Sequence, residues 1–385
     1  MAVPEKEMIF AITNVDSLVG YAQAFFFLKH LDKEKHNIKL RLFCRSREEL
    51  QELEKMGGES IETNYMDHHE IEKGLKDVSY LMFIPEYSSD RFQQGYNVLN
   101  AAKKQQVDYV AMFSILGVDH ATKYGDYPNL NTYYRLEQIM CNEFNSEHYT
   151  VFRLPMFYSA FYGLMPMVQR ENKLRMTIKK GVRFAMIDLG DCIEAIYNLS
   201  FEKGEDDDEE QQEQQEQQQD DNRFFLWRIL FPARQNHHHR QQQQQQQQEQ
   251  QQQNPVMLKK NITLFEFTPS DRCLTGEEMA QHMAQGLDRE HLEYEEISPD
   301  DMRGYLDSIR QDERFRRGHR ENEHLFPVGS FIREKVIETL LECSRLASQG
   351  LTDKVTQDLE HALHHQPMTL LDFFRKNREN FRHLQ

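Results

Sequence analysis

The sequence has few cysteines and lacks long apolar runs. Its five cysteines, at positions 44, 141, 192, 273 and 343, are far apart, and no two have the spacing of metal ligands. Because their number is odd, we expect reduced thiols in a reducing compartment. The most apolar stretches, such as residues 21–28, are much shorter than the roughly 20 residues that cross a bilayer. We therefore predict no metal and no contact with a membrane.

The sequence also has no excess of basic residues, and its first residues do not suggest a signal peptide. The N-terminus, MAVPEKEMIF, has charges where a secretory signal needs an apolar run, so we expect a cytoplasmic location and leave a nuclear one open. The chain has 46 Lys and Arg against 63 Asp and Glu, and ten of the acidic residues lie within residues 205–221. Since a nucleic-acid-binding surface needs a basic patch, we expect no direct contact with nucleic acid. A protein partner is compatible with this charge.

The first 160 residues alternate regularly between short apolar runs and amphipathic stretches. The apolar runs predict strands at 8–12, 38–44, 60–65, 80–84, 109–113 and 149–154, and the other stretches predict helices at 18–31, 48–56, 68–75, 92–104 and 131–145. Such alternation is typical of βαβ units, and strands that are apolar throughout fit a parallel sheet covered on both faces. We predict an α/β fold with a doubly wound, Rossmann-like parallel sheet.

The composition changes abruptly after residue 203. Residues 204–254 are acid-rich and then glutamine-rich, so they cannot bury enough apolar surface to offset their ordering entropy. We predict a disordered polyglutamine insertion here, and its one apolar run, 224–231, is either a docking peptide or a displaced piece of the fold. Beyond the insertion, the sequence predicts a strand at 262–268 and helices at 275–286, 299–306, 330–349 and 368–381. The predicted units are therefore a doubly wound region, 1–160, and a smaller, mostly helical part, 161–203 and 255–385.

The turn after the first strand has one glycine where dinucleotide-binding folds have three. Glycines there let the backbone approach the pyrophosphate, which lies on the N-terminus of the next helix. Residues 14–20 read NVDSLVG, so only Gly20 remains. Asn14 suits a positive φ angle and Ser17 suits a helix cap, whereas the carboxylate of Asp16 opposes a phosphate. An ordinary strand–helix turn stays the alternative.

A basic tripeptide, Arg45-Ser46-Arg47, follows the second strand. An acidic residue there would hydrogen-bond the adenosine ribose and favour NAD, whereas arginine suits the 2′-phosphate of NADP. We therefore predict that NADP(H) is favoured over NAD(H), with a solvated basic turn as the alternative.

Taken in order along the chain, several stretches of the sequence resemble the NmrA-like family of atypical short-chain dehydrogenases and reductases. The resemblance covers nearly the whole chain outside the insertion, and no single motif decides it. The stretches that carry it are 9–20, Arg45, Asp67, 75–78 (LKDV), 97–104 (NVLNAAKK), 107–117 (VDYVAMFSILG), 135–137 (RLE), 149–155 (YTVFRLP), Phe157, 188–195, 274–283 (LTGEEMAQHM), 298–302 (SPDDM) and 368–381 (MTLLDFFRKNRENF).

The resemblance implies an NAD(P)-binding site. Arg45 would meet the adenosine phosphate and Asp67 would lie near the adenine, while the ends of the fourth and fifth strands would flank the ribose and nicotinamide. Pro155 and Phe157 would form the wall at the nicotinamide end. The implied cofactor-binding residues are Thr13, Asn14, Ser17, Leu18, Val19, Gly20, Arg45, Asp67, Ile84, Pro85, Ser114, Arg135, Pro155 and Phe157.

Catalytic residues are less clearly indicated. Relatives often have a lysine on the helix after the fifth strand, and the resemblance puts Arg135 there, which keeps the charge but cannot serve as a tunable proton donor. The Tyr-x-x-x-Lys pair of the standard short-chain reductases is absent, since neither Tyr133 nor Tyr134 has a lysine four residues on. The candidate catalytic residues are Arg135, Ser114 and Tyr133.

An incomplete glycine turn and the missing proton donor together favour a nucleotide-sensing regulatory protein, with weak or no catalysis, that acts on a protein partner. Two alternatives stay open. One is an NAD(P)H-dependent reductase of a small carbonyl, quinone or enone. The other is a pseudo-enzyme scaffold that binds no nucleotide.

Overall fold

The computed structural model describes residues 8–31, 37–48, 50–123, 125–201, 262–315 and 331–382. The insertion predicted for 204–254, with its apolar run 224–231, lies outside the described residues. Within the described ranges, strands and helices alternate along the first 160 residues as the apolar pattern predicts.

The described strands run from the N-terminus to residue 296. They are β1 Met8–Ile12, β2 Ile38–Cys44, β3 Glu59–Glu62, β4 Val78–Phe83, β5 Tyr109–Ile115, β6 Tyr149–Leu154, β7 Met156–Phe157, β8 Lys173–Met176, β9 Arg183–Phe184, β10 Met186–Ile187, β11 Leu264–Glu266, β12 Leu274–Thr275 and β13 Glu293–Glu296.

Seven of these strands form one parallel sheet in the order β3-β2-β1-β4-β5-β6-β11. The chain runs outward from β1 through β2 to β3, and then returns to the other side of β1 to build β4. This reversal makes the β1–β4 boundary the topological switch point of the sheet, where doubly wound folds bind their ligands. The predicted doubly wound, Rossmann-like sheet is confirmed.

The helices cover both faces of this sheet. They are α1 Leu18–His30, α2 Gln51–Lys55, α3 His68–Gly74, α4 Arg91–Lys104, α5 Pro128–Glu143, α6 Ala160–Glu171, α7 Leu189–Phe201, α8 Gly276–Gly286, α9 Pro299–Gln311, α10 Glu334–Ser348, α11 Asp358–Leu363, α12 Leu370–Lys376 and α13 Arg378–Arg382. None of the helices in the described ranges is long and apolar enough to cross a membrane.

Alternate side chains of the strands pack into two separate apolar layers. In β1, Phe10 and Ile12 face the layer that contains α1 and α7, while Ile9 and Ala11 face the layer of α3, α4 and α5. Because both faces are covered, the strands are apolar throughout, which explains why their sequence shows no polar alternation.

Side-chain caps involve two of the C-terminal helices, α8 and α10. A capping box forms at the start of α8, where the side chains of Thr275 and Glu278 each accept a hydrogen bond from the other's backbone N–H. Glu342, on α10, accepts hydrogen bonds from the N–H groups of Asn129 and Leu130, and so caps α5 from outside. The Glu342 hydrogen bonds hold α10 against the N-terminus of α5.

Helix and strand ends differ from the predictions by a few residues. The helix predicted for 48–56 is reduced to α2, and the one predicted for 368–381 is divided into α12 and α13 around Asn377. The layer that contains α1 also includes side chains beyond residue 160, such as Phe161 and Phe374, so the predicted boundary at 160 crosses one continuous core. The division into two units stays a prediction.

Candidate functional site at the carboxyl edge of the sheet

A cleft with a volume of about 260 Å³ opens at the switch point. The β1–α1 turn and the ends of β4, β5 and β6 form its floor, while α9, α10 and the segment before α10 form its roof. Its lining includes Asp16, Ser17, Leu18, Val19, Ile84, Pro85, Ser114, Tyr133, Pro155, Phe157, Leu306, Ile332, Arg333 and Leu340. Nine predicted site residues are therefore brought together: Ser17, Leu18, Val19, Ile84, Pro85, Ser114, Tyr133, Pro155 and Phe157.

The turn between β1 and α1 is tight despite its missing glycines. Asn14 has a φ angle of 54°, the left-handed conformation for which asparagine substitutes best for glycine. Its N–H donates to the hydroxyl of Tyr65 at 2.9 Å, and its side-chain amide donates to the carbonyl of Pro85 at 3.1 Å. A Cβ atom on Gly20 would lie 2.1 Å from the Asn14 carbonyl oxygen, so this position requires glycine.

The first turn of α1 lines the cleft and has backbone N–H groups at its N-terminus. Ser17 caps the helix as predicted, since its hydroxyl oxygen accepts from the N–H of Gly20 at 3.1 Å. In the described structure, no acceptor is recorded for the N–H groups of Leu18 and Val19, and both residues line the cleft. A helix N-terminus with free N–H groups attracts anions, above all phosphates.

Thr13, directly after β1, joins this turn to the end of β4. Its hydroxyl donates to the carbonyl of Ile84 at 3.1 Å and accepts from the N–H of Ile84 at 2.8 Å. The ends of β1 and β4 are therefore held together at the switch point. Thr13 and Asn14 position the cleft and do not line it.

A cluster of four charged side chains lies beside the same turn. Arg45 Nη2 is 3.0 Å from Asp16 Oδ2, and Arg45 Nε is 3.2 Å from Glu86 Oε2. On the other side of Asp16, Arg333 Nη2 is 3.6 Å from Oδ2. The carboxylate expected to repel a phosphate is thus neutralised within the protein, and Arg45 is already paired with two carboxylates.

Sequence reasoning did not select Glu86 or Arg333. Glu86 follows Pro85 at the end of β4, and only 3% of its side chain is exposed. Burial raises the pKa of Glu86 to about 8, although Arg45 acts in the opposite direction. The only signal in the sequence was an acidic residue directly after an apolar strand, and nothing indicated that it would be buried.

Two hydroxyl groups lie toward the β5 end of the cleft. Ser114, at the end of β5, is 3% exposed, and its hydroxyl has no hydrogen-bond partner within the described residues. Tyr133, on α5, lines the cleft together with Tyr87. Burial raises the pKa of Tyr133, so its hydroxyl keeps its proton at physiological pH. This end of the cleft can therefore donate hydrogen bonds to an uncharged acceptor.

A buried arginine that the sequence did not indicate holds these tyrosines in place. Arg91 donates to the carbonyl of Glu86 at 2.6 Å, to that of Asn129 at 3.1 Å and to the hydroxyl of Thr339 at 3.3 Å. Its guanidinium carbon lies 4.6 Å from the ring centre of Tyr133. The arginine thus links the end of β4 to α5 and α10 around the cleft.

Six predicted site residues do not line the cleft: Thr13, Asn14, Gly20, Arg45, Asp67 and Arg135. The last two lie away from it. Arg135 is exposed, and its guanidinium stacks on Phe92 with its carbon 3.4 Å from the ring centre. With 3.6 residues per turn, it points about 200° away from Tyr133 around α5. Asp67 accepts hydrogen bonds from the N–H groups of His69 and Glu70, and so caps α3. Both were selected by alignment with the family, which does not fix where a side chain points.

Comparison with solved structures identifies the fold. The NADPH-dependent quinone oxidoreductase QOR2 of Escherichia coli, solved with NADPH, has a TM-score of 0.64 and 16% identity over 95% of this chain and 98% of its own. The Citrobacter sp. triphenylmethane reductase, solved with NADP(H), has a TM-score of 0.59 and 15% identity over 96% and 99%. NmrA, a negative transcriptional regulator solved with NAD, has a TM-score of 0.57 and 11% identity over 96% and 95%.

The chain has the fold of NmrA and of these reductases. The fold implied by the sequence resemblance is therefore confirmed. No protein-family model and no curated protein matches the sequence.

Proposed function

We propose that this protein binds a nicotinamide dinucleotide in the cleft and acts as a nucleotide-sensing regulatory protein with weak or no catalysis. The observation that carries the proposal is the pair of free N–H groups of Leu18 and Val19, on the first turn of α1 and at the switch point of the sheet. A diphosphate is the ligand that such a site suits best. Three proteins of the same fold were solved with NADPH, NADP(H) or NAD, which supports this choice.

The residues of the cleft fit the two ends of such a ligand. The N–H groups of Leu18 and Val19 would hold the diphosphate, as the sequence resemblance implies. Pro155 and Phe157 form an apolar wall next to Ser114, and a flat, largely apolar ring such as nicotinamide suits such a wall. The unpartnered hydroxyl of Ser114 would find an acceptor there.

Weak catalysis is expected because the site lacks the usual proton donor. No lysine follows Tyr133 or Tyr134 at the required spacing, and Arg135 points away from the cleft. A ligand that binds without rapid turnover can report its concentration or redox state to a protein partner. That partner stays a prediction, as do a cytoplasmic location and an additional nuclear one.

A reductase is the second candidate, and the hydroxyl groups of Ser114 and Tyr133 favour it. A bound reduced nicotinamide would supply a hydride. Ser114 would donate a hydrogen bond to the carbonyl oxygen of a small quinone or enone, and Tyr133 would donate its proton. The nearby charge of Arg91 acts to lower the pKa of Tyr133, which makes that proton easier to transfer. NADPH consumption with a quinone panel, lost in Tyr133→Phe, would favour this candidate.

The preference for NADP(H) over NAD(H) depends on Arg45. Its guanidinium lies beside the β1–α1 turn with 35% of its side chain exposed, so a phosphate can reach it. Burial acts to lower the pKa of Arg45, but Glu86 and Asp16 outweigh it and raise that pKa. The arginine therefore stays charged, although it is shared with two carboxylates.

The proposal is tested by titrating the purified full-length chain with NADPH, NADP⁺ and NAD⁺. Two matched variants at Leu18 then locate the site. Proline is favoured at the first position of a helix, and the extended backbone of Ser17 is compatible with a following proline. Leu18→Pro therefore removes one N–H without breaking α1, whereas Leu18→Ala keeps it.

We expect Leu18→Pro to bind about tenfold more weakly than Leu18→Ala, because a hydrogen bond to a charged group is lost. Equal affinity of the two variants would show that the phosphate lies elsewhere. If no nucleotide binds up to about 1 mM, which corresponds to about 4 kcal/mol, the scaffold that binds no nucleotide is the remaining function.

A further inference from the structure

The pairing of Arg45 with Glu86 has a consequence for ligand choice. Arg45 is the cation that the sequence assigns to the 2′-phosphate, and it is 3.2 Å from a carboxylate that solvent barely reaches. We propose that Glu86 is a specificity-determining residue that limits the preference for NADP(H) over NAD(H) by competing with the 2′-phosphate for Arg45. The inference rests on the proposed nucleotide site.

The ion pair with Arg45 is the contact that compensates for the burial of the Glu86 carboxylate. Its contact with Arg45 Nε is an ion pair whose angle is not that of a hydrogen bond, and neither carboxylate oxygen has a hydrogen-bond donor within the described residues. A buried carboxylate without hydrogen bonds is costly, so its interaction with Arg45 is strong and difficult for solvent to screen. A phosphate that approaches Arg45 must weaken that interaction.

The net charge of the cluster depends on the protonation of Glu86. When Glu86 is ionised, its charge and that of Asp16 balance those of Arg45 and Arg333, and the cluster is neutral. When Glu86 is protonated, the cluster has one net positive charge. A neutral cluster attracts a dianionic 2′-phosphate weakly, and a positive one attracts it more strongly.

Protonation of Glu86 falls in an accessible range of pH. Burial raises its pKa to about 8, and the Asp16 carboxylate adds to this, while Arg45 and Arg91 oppose it. Burial also raises the pKa values of Tyr65 and Tyr133, so neither changes charge between pH 7 and 9. The charged and titratable groups that face Glu86 in the described ranges are Arg45, Asp16, Tyr65, Arg91 and Tyr133.

The sign of the pH dependence follows from these charges. Below its pKa, Glu86 is neutral, so Arg45 keeps Asp16 as its charged partner but no longer interacts with a second carboxylate, and NADP⁺ binds more tightly relative to NAD⁺. The 2′-phosphate keeps its second charge above its own pKa of about 6, so it does not titrate between pH 7 and 9. NAD⁺ has no such group, and its affinity should change little.

The experiment measures the dissociation constants of NADP⁺ and NAD⁺ for the full-length chain at pH 7 and pH 9. We expect the affinity ratio in favour of NADP⁺ to be about tenfold larger at pH 7, the scale of one partly screened charge pair. Glu86→Gln should have the larger ratio at both pH values. Glu54→Gln is the matched control, because it removes one carboxylate from the exposed face of α2 and should keep the wild-type profile.

The outcomes separate this inference from the proposed function. If both nucleotides bind but Glu86→Gln leaves the ratio at pH 9 within twofold of wild type, Glu86 does not determine specificity. If Glu86→Gln fails to fold, the wild-type protein alone tests the inference. An affinity ratio of NADP⁺ to NAD⁺ that is the same at pH 7 and pH 9 would contradict it. If neither nucleotide binds at any pH, the nucleotide site itself is wrong, and the inference is wrong with it.

Discussion

The two ends of the cleft differ in how their polar groups are paired. At the end beside α1, Asp16, Arg45, Glu86 and Arg333 are linked to one another, so an incoming phosphate must compete with internal ion pairs. At the other end, the hydroxyl of Ser114 is buried without a described partner among apolar walls. When Glu86 is ionised, the charges at the first end balance before a ligand arrives, whereas the hydroxyl at the second end has no partner within the described residues.

This difference suggests where affinity and discrimination arise. Internal pairing at the charged end reduces the binding energy that a phosphate can gain, which suits a protein that senses its ligand rather than one that is always saturated. The unpaired hydroxyl at the apolar end gains a partner only when a ligand is present. Under the proposed function, the nicotinamide would bind at the apolar end and the 2′-phosphate at the charged end.

Gly20→Ala should disrupt the charged end most strongly. The new Cβ atom would lie 2.1 Å from the backbone carbonyl of Asn14, a group that cannot move without opening the turn. We expect a loss of about 4 kcal/mol or more in the free energy of unfolding, or no cooperative folding at all.

The control for Gly20→Ala is Gly304→Ala in α9, where a Cβ would meet nothing within 4 Å. This variant should be stabilised by up to about 1 kcal/mol, because alanine is the better helix former. Urea denaturation monitored by circular dichroism measures both variants. A Gly20→Ala protein as stable as wild type would mean that the β1–α1 turn is loose and that the charged end is not fixed by it.

Two serines give a smaller and more direct comparison of the two ends. Ser17 caps α1, so Ser17→Ala should cost about 1 kcal/mol in the free energy of unfolding. Ser114 has no described partner, so Ser114→Ala should change that free energy by less than about 0.5 kcal/mol or increase it, because a buried unpaired hydroxyl is removed. Denaturation of both variants in the absence of nucleotide measures this difference.

A Ser114→Ala protein that loses as much stability as Ser17→Ala would show that the Ser114 hydroxyl is paired. The contrast between the two ends of the cleft would then disappear.

Much of the fold was predictable because its signals are local. Strands β2 and β6 begin and end where the apolar runs predict, and the Asn14 and Ser17 roles follow from preferences of single residue types. The cap on α8 follows from the spacing of Thr275 and Glu278. Each of these depends on residues that are close together in the sequence.

The charged cluster was not predictable, because it depends on contacts between distant residues. Asp16, Arg45, Glu86 and Arg333 belong to four separate segments, and only the packing of the sheet and of the segment before α10 brings them together. A local pattern indicates that Arg45 is basic, but it does not show that two carboxylates neutralise it. Arg91 was missed for the same reason, since its partners lie on α5 and α10.

Arg135→Ala should have the smallest effect, and it tests whether both ends of the cleft have been located correctly. The family resemblance places this residue at the cofactor ribose, whereas the structure places it on the exposed face of α5 with its guanidinium on Phe92. Because the side chain is two residues from Tyr133, rotation of α5 cannot bring both into the cleft together.

For Arg135→Ala, we expect the dissociation constants of NADP⁺ and NAD⁺ to change less than about twofold, and the free energy of unfolding to fall by up to about 1 kcal/mol from the lost stacking. Isothermal titration calorimetry measures the affinities, with Gln138→Ala on the same exposed face as the control. A loss of nucleotide affinity of about tenfold in Arg135→Ala alone would mean that the ribose reaches this face of α5, and the two-ended description of the cleft would have to be replaced.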